Sequence, residues 1–280
     1  MDALTHKLVL GTVQFGLQYG INSAGRPSDD MVREILSLAG AAGIRTLDTS
    51  SAYGNAEEVL GTDMPAGSDF RIVSKYPMGA AGVEQTFGES LRRLGVPRLY
   101  GYLLHHFELY RRNPGIWDDF IALKQAGKVD KIGFSLYSPE ELELILGNGS
   151  PFDLIQVPFN LFDRKFLPYM KELHEKGVEI HVRSTFLQGL FFKDRDSLPE
   201  KLLPLRKYLL RLDEFSRESG LSIAETALNF NLHNPYIDGV LIGVDNASQL
   251  KANLASVKDS PVDLEINIEE TDLLNPVNWK

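Results

Sequence analysis

The sequence predicts an α/β fold, a single (β/α)8 TIM barrel over residues 1–280. Three observations predict it. Eight short apolar, β-branched runs alternate with amphipathic stretches along the chain. Those stretches repeatedly close on glycine, which takes the left-handed cap conformation without Cβ strain. Polar residues suited to chemistry follow directly on the strand-like runs, and in a parallel barrel those ends converge at one mouth. The runner-up is an open doubly wound sheet. No run is followed by a G-x-G-x-x-G turn, and no G-x-x-x-x-G-K-S/T phosphate loop occurs.

The strands are expected at residues 8–10, 46–48, 72–74, 100–104, 132–134, 154–157, 179–182 and 239–242. Helices are expected at 29–42, with Met31, Val32, Ile35, Leu36 and Leu38 on its apolar face, and at 82–94, ending at Gly95. Further helices are expected at 117–126, ending at Gly127, at 139–146, opening on Ser138 with Pro139 just inside, at 166–175, ending at Gly177, and at 205–218, ending at Gly220. The longest irregular stretch, 186–204, follows the seventh strand, where a long loop suggests a lid or binding loop.

Composition narrows the function classes. The net charge of −9 argues against a nucleic-acid backbone or an anionic membrane as partner. With no cysteine there are no disulfides, thiolate nucleophiles or Cys-bound metals. The start, MDALTHKLVLGTV, is too polar for a signal peptide, and no apolar run is long enough to span a membrane, so the cytoplasm is the default expectation.

Four polar residues stand out: Asp48 and Tyr53 in TLDTSSAYG, Lys75 in RIVSK, and His105 in YGYLLHH. An acid, a phenol, an ammonium and an imidazole are what proton transfer to a carbonyl oxygen needs. Singly, each has a plainer reading: a turn Asp, a loop Tyr, a solvated strand-end Lys, a core His. Four such coincidences at four strand ends are improbable together. His105, His106 and Glu108 do not make a metal site, because adjacent strand residues face opposite sides.

The segments LVLGTVQFG, RTLDTSSAYG, VSKYP, YGYLLHH, GKVDKIGFSLYS, LIQVPFN and GVDNASQLKANL resemble, in order, the successive signatures of the aldo-keto reductase family. The resemblance covers nearly the whole chain. It implies a nicotinamide cofactor bound without a Rossmann domain, and reduction of aldehydes or ketones, sugar-derived ones included. It implies Tyr53 as the acid, Lys75 lowering the phenol pKa, Asp48 holding the lysine, and His105 orienting the substrate carbonyl. It places Ser135 and Gln156 on the nicotinamide carboxamide, with Leu136 where the family often has Asn, and Asn160 as a substitute. Gly11 and Thr12 would admit the reacting ring, and Ser184, Phe186, Leu187, Gln188 and Gly189 would follow the pyrophosphate.

Two departures from the family pattern matter. Arg183 stands where the family usually stacks an aromatic on nicotinamide; a guanidinium there would weaken oxidised-cofactor binding, or reach an anionic substrate or the pyrophosphate. At the adenosine end, Gly243, Asp245, Asn246, Gln249 and Asn253 replace the expected Lys or Arg. NADP(H) keeps the family expectation, with NAD(H) or dual use open because an Asp near a ribose repels a 2′-phosphate. Phe15, Tyr19, Tyr76, His106, Phe107 and Tyr137 are candidate substrate walls, and Trp279 a further one. The short start leaves no room for the family's barrel-bottom hairpin. Two other readings stand: a class I aldolase with a Schiff base at Lys75, and a non-catalytic nicotinamide-sensing subunit. The partners expected are a nicotinamide and a small carbonyl compound, in a monomer or small homo-oligomer.

Overall fold

A computed structural model describes residues 4–21 and 25–279. Eight parallel strands close in sequence order into a barrel: β1 Leu8–Gly11, β2 Thr46–Asp48, β3 Arg71–Tyr76, β4 Leu99–Leu104, β5 Val129–Ser135, β6 Leu154–Pro158, β7 Glu179–Arg183 and β8 Gly239–Gly243. The closing pair, β1 with β8, runs from Leu8 opposite Val240 to Gly11 opposite Gly243. All eight expected strands are present, most of them a residue or two longer than the apolar runs alone suggested.

The six expected helices form as Asp29–Ala41, Val83–Leu94, Ile116–Gln125, Pro139–Gly147, Leu167–Glu175 and Arg206–Ser219. Their starts have local causes. Ser28 accepts the Met31 amide proton, and Ser138 with Glu141 makes a capping box behind Pro139. Helices Ala56–Asp63, Phe107–Arg112, Ile223–Leu232 and the short Val13–Gly16 were not foreseen, and Ala247–Ala255 was anticipated only by its start.

Outward strand residues such as Ile72, Tyr102, Ile155 and Val182 pack on the helices in one large apolar cluster. Burying each such side chain contributes about 1.5–3 kcal/mol. A second apolar cluster gathers Phe162, Leu187, Phe191, Leu202 and Leu205 with Leu264 and Leu274. It joins the long segment after β7 to the C-terminal stretch, over the same end of the barrel. That segment is not wholly irregular: it contains 3-10 turns at Leu187–Phe192 and Glu200–Leu205.

Inside the barrel the side chains lie in layers. At the N-terminal end of the strands, Tyr100 Oη donates to Glu179 Oε2 at 2.6 Å, His181 Nε2 lies 2.6 Å from Glu179 Oε1, and Lys131 pairs with the same carboxylate. Arg71 lies over the Tyr100 ring at 4.5 Å. Above them Val73, Leu103 and Leu154 form a small apolar layer. Among the described residues a 3-10 turn, Thr5–Lys7, precedes β1, and Lys7 Nζ donates to the carbonyls of Leu232 and Asn234 at 3.2 Å. Among the described residues no helix is long and apolar enough to cross a membrane.

Candidate active site

The C-terminal strand ends each deliver a residue to one mouth. Gly11, Asp48, Ser135, Arg183 and Gly243 close β1, β2, β5, β7 and β8; Lys75 and Gln156 lie within β3 and β6; His105 follows β4 directly. Lys75 is fully buried. Its Nζ donates to Asp48 Oδ1 at 2.6 Å, to the Thr49 carbonyl at 2.9 Å, and to Tyr53 Oη at a longer 3.4 Å. Gln156, from across the barrel, donates its Nε2 to the other Asp48 oxygen at 2.7 Å. The Tyr53 and His105 rings meet edge to face, 5.7 Å apart.

Tyr53 sits in the turn after β2, and two distant glycines set that turn. Gly54 has φ +57°, a conformation L side chains rarely adopt, and an added Cβ would lie 2.5 Å from the Gly16 carbonyl. A Cβ on Gly16 would in turn fall 1.8 Å from the Tyr53 carbonyl. Helix Val13–Gly16 therefore lies directly against the backbone that aims the phenol.

Ser50 was not foreseen as a site residue. Its Oγ accepts the Ala52 amide proton at 3.1 Å and lies 3.1 Å from His105 Nδ1. If the hydroxyl donates to Nδ1, the imidazole proton sits on Nε2; if Nδ1 donates to the second lone pair of the hydroxyl, it sits on Nδ1.

Electrostatics modify the expected roles. Burial pushes the Tyr53 phenol up, and Asp48 adds to the rise, so the net direction is opposite to the lowering expected from Lys75. The reason is geometric: the lysine is held on Asp48 at 2.6 Å and stands farther from the phenol, so desolvation dominates. Burial lowers the Lys75 pKa, with Asp48 opposing. Burial, then Lys75, push His105 down to about 2, so its ring is neutral at physiological pH.

The mouth opens into a cavity of about 540 Å³. Gly11, Thr12, Asp48, Tyr53, His105, Ser135, Gln156, Arg183, Ser184, Phe186, Gln188, Gly189, Gly243, Asp245, Gln249 and Asn253 line it, as do Tyr19 and Tyr137. Other expected wall residues lie elsewhere. Phe15 and Phe107 are buried in the main apolar cluster. Tyr76 is buried with its hydroxyl on the Ala81 carbonyl at 2.6 Å, and Leu187 belongs to the second apolar cluster. His106 is not on the wall; its ring lies 4.8 Å from that of His105. Asn246 caps helix Ala247–Ala255 by accepting the Gln249 amide proton at 2.9 Å. Asn160 is fully buried and donates to the Ser184 carbonyl at 3.0 Å, so it shapes the loop and does not face the cavity. Trp279 turns onto the Leu273 carbonyl at 2.7 Å, while Asn275, Pro276 and Val277 beside it reach the wall.

Two features of the wall were not legible in the sequence. Gln14 lines the cavity with a buried Oε1 that has no partner, and a Cβ on Gly243 would meet its Nε2 at 2.6 Å. Ser184, Leu187 and Gln188 have φ of 64°, 47° and 51°, three left-handed non-glycine residues in one loop. Such strain concentrates at binding sites, where the surroundings hold it. Here the Ser184 carbonyl accepts from Asn160, the Gln188 carbonyl from the Ile21 amide at 3.2 Å, and Gln188 Nε2 donates to Tyr19 Oη at 2.7 Å.

A parallel eight-stranded barrel with a buried acid–lysine pair, a phenol and a neutral imidazole at the head of a long cavity defines a class of barrel oxidoreductase. The chain belongs to the aldo/keto reductase family, whose model matches residues 7–268. It is 32% identical over 177 residues to an uncharacterised oxidoreductase of Schizosaccharomyces pombe, covering 58% of this chain and 62% of that protein. It is 26% identical to the L-galactose dehydrogenase of Arabidopsis thaliana, over 88% of this chain and 83% of the relative. The L-glyceraldehyde 3-phosphate reductase of Escherichia coli K12 is 26% identical, over 81% and 79%. An aldo-keto reductase from Bacillus halodurans, solved in its holo form, shares the fold with a TM-score of 0.72 at 23% identity, over 92% and 88% of the two chains.

Proposed function

We propose that the protein reduces aldehydes or ketones to alcohols, using a reduced nicotinamide dinucleotide held in this cavity and Tyr53 as the proton donor. The observation that carries the reading is the group Asp48–Lys75–Tyr53–His105 at the head of the cavity, with the phenol 3.4 Å from the buried ammonium. The wall suits the cofactor chemically. Ser135 and Gln156 offer a hydroxyl and an amide at one end, the start of helix Ala247–Ala255 with Gln249 and Asn253 lies at the other, and Gln14 Oε1 lacks a partner between buried walls.

When bound, the reduced nicotinamide supplies the hydride that adds to the carbonyl carbon. The chain's own residues do the rest. His105, neutral and accepting the Ser50 hydroxyl proton at Nδ1, carries its own proton on Nε2 and donates it to the carbonyl oxygen as a hydrogen bond. The raised phenol pKa keeps the Tyr53 proton in place until negative charge develops on that oxygen, which then takes it. Lys75 hydrogen-bonds the phenolate left behind, and solvent returns the proton. Asp48, held from two sides, fixes the lysine.

At the adenosine end the wall presents Asp245, Gln249 and Asn253, with no Lys or Arg among the described lining residues there; Lys251 of the same helix pairs with Glu34 at 3.6 Å. A wall of amides discriminates weakly for a 2′-phosphate, so we expect NADH to be accepted beside NADPH. The aldolase reading loses ground because Lys75 Nζ is buried and tied to Asp48 and Thr49. Titrating the protein with NADPH and with NADH by nicotinamide fluorescence, then adding an aldehyde, tests the proposal. Binding followed by cofactor oxidation is expected. Binding without turnover would favour the sensing subunit, and no binding would overturn the site.

A further inference from the structure

Arg183 closes β7 and lines the cavity, yet among the described residues no carboxylate forms an ion pair with it. Its one hydrogen bond runs from a terminal guanidinium nitrogen to the Leu136 carbonyl at 2.8 Å, and its guanidinium lies 4.0 Å from the centre of the Tyr137 ring. Both contacts pull the side chain back across the end of β6 toward the loop after β5. Helix Ala247–Ala255 follows β8, the neighbour of β7 on the side away from β6. The guanidinium thus leans away from the amide-rich end and toward the reacting centre. Its charge acts on Tyr53, Lys75 and His105, all members of the proposed catalytic group. The nearest carboxylate charge at that centre, Asp48, is already matched by Lys75. Among the described residues the head of the cavity therefore carries one positive charge with no carboxylate partner, on a planar guanidinium with N–H donors beyond the one given to Leu136, the geometry suited to a carboxylate or phosphate.

We propose that the substrate is a carbonyl compound bearing an anionic group, carboxylate or phosphate, and that Arg183 binds that group while His105 and Tyr53 address the carbonyl. This rests on the reductase reading of the site. Tyr137, stacked on the guanidinium, fixes its plane, and Gln188 with Tyr19 closes the wall beside it. The anion adds no step to the chemistry; it sets where the carbonyl lies.

The test uses matched pairs of aldehydes with the full-length protein: 4-oxobutanoate against butanal, and glyceraldehyde 3-phosphate against glyceraldehyde. The measured quantity is the ratio of kcat/KM for the charged over the neutral member. We expect one of the charged members to be preferred by roughly tenfold to a hundredfold in the wild type, the range for a charge-assisted hydrogen bond, chiefly through KM. Arg183→Gln should bring the ratio near one, and Arg183→Lys should restore part of it. Which pair shows the larger ratio separates carboxylate from phosphate. A ratio near one in the wild type overturns the inference while leaving the reductase reading intact. So does a ratio that survives Arg183→Gln, or a variant whose sole defect is weaker NADPH and NADH binding, which would assign the guanidinium to the cofactor. Failure to reduce any of the four aldehydes in a protein that binds neither cofactor counts against the reductase reading itself.

Discussion

The barrel holds a polar cluster at each end, buried above and partly buried below, and the two are built from the same kinds of group. At the upper mouth an acid, a lysine, a phenol and an imidazole meet as Asp48, Lys75, Tyr53 and His105. At the lower end Glu179, Lys131, Tyr100 and His181 do the same. They differ in how fully they satisfy one another. Below, one carboxylate collects three donors, and although burial opposes its ionisation, His181, Lys131 and Tyr100 hold Glu179 well below the ordinary carboxylate range. The carboxylate is saturated, while His181 Nδ1 stays buried with no partner among the described residues. Above, Asp48 is matched by Lys75 and Gln156, but the phenol is only loosely tied and faces a cavity together with a guanidinium that has no carboxylate partner among the described residues. The same kinds of group thus serve stability where one carboxylate gathers three donors, and are free to react where a phenol, an imidazole and a guanidinium face a cavity. This matches the general division of labour between the two faces of such barrels.

Breaking the central pair above should have the largest effect. Lys75→Met leaves Asp48 charged and buried, so we expect loss of turnover and a stability loss of about 3–5 kcal/mol in urea denaturation. An unchanged urea midpoint would show that the Asp48–Lys75 pair does not hold the fold together at this end. Below, Glu179→Leu strands Lys131 and His181. Because Lys131 is partly exposed we expect a smaller loss, about 2–3 kcal/mol, with turnover per folded molecule retained. A selective fall in kcat at full stability would mean that the two ends are not separate.

Ser50→Ala sharpens the comparison on the upper side. Removing the hydroxyl frees the His105 tautomer, and kcat should fall by up to about tenfold with cofactor affinity unchanged. Nitrogen chemical shifts of the imidazole should show the Nε2–H form giving way to a mixture; an unaltered tautomer would assign Ser50 to the loop alone.

The smallest effects lie in pH. His105 is pushed from 6.5 down to about 2, so kcat/KM should show no imidazole ionisation near neutrality. The phenol is pushed up from 10.0, so no basic limb should appear at the ordinary tyrosine value. For stability, both His105 and Glu179 bind protons more readily in the unfolded chain. Their contribution is full above the ordinary histidine pKa, begins to fall as pH drops below it through His105, and falls further below the ordinary carboxylate range through Glu179. An inflection in kcat/KM near 6.5 that vanished in His105→Gln would contradict the neutral imidazole.

The upper cluster is readable in the sequence because its members lie at or just beyond strand ends, where polarity breaks an apolar run. The lower cluster escaped notice for the mirror reason. Tyr100, Lys131 and Glu179 lie at strand starts, where a polar residue reads as a solvated flank, and only closure of the barrel brings β4, β5 and β7 onto one carboxylate. Short helices such as Ala56–Asp63 were missed because so few turns show no clear period. Phe15 and Tyr76 look like wall residues from their place near strand ends, but side-chain direction decides their fate, and both turn into packing. The Gly16–Gly54 contact that sets the Tyr53 turn joins a short helix to a loop far away in sequence, with no local signal. The rise of the phenol pKa is likewise a property of burial, which composition does not reveal.

The most direct test of the account is Tyr53→Phe, assayed for cofactor affinity by fluorescence titration and for aldehyde reduction under the same conditions. The account predicts nearly unchanged nicotinamide binding and a fall in reduction of roughly 100-fold to 10,000-fold, the range of a positioned general acid. Wild-type reduction by the variant would contradict it.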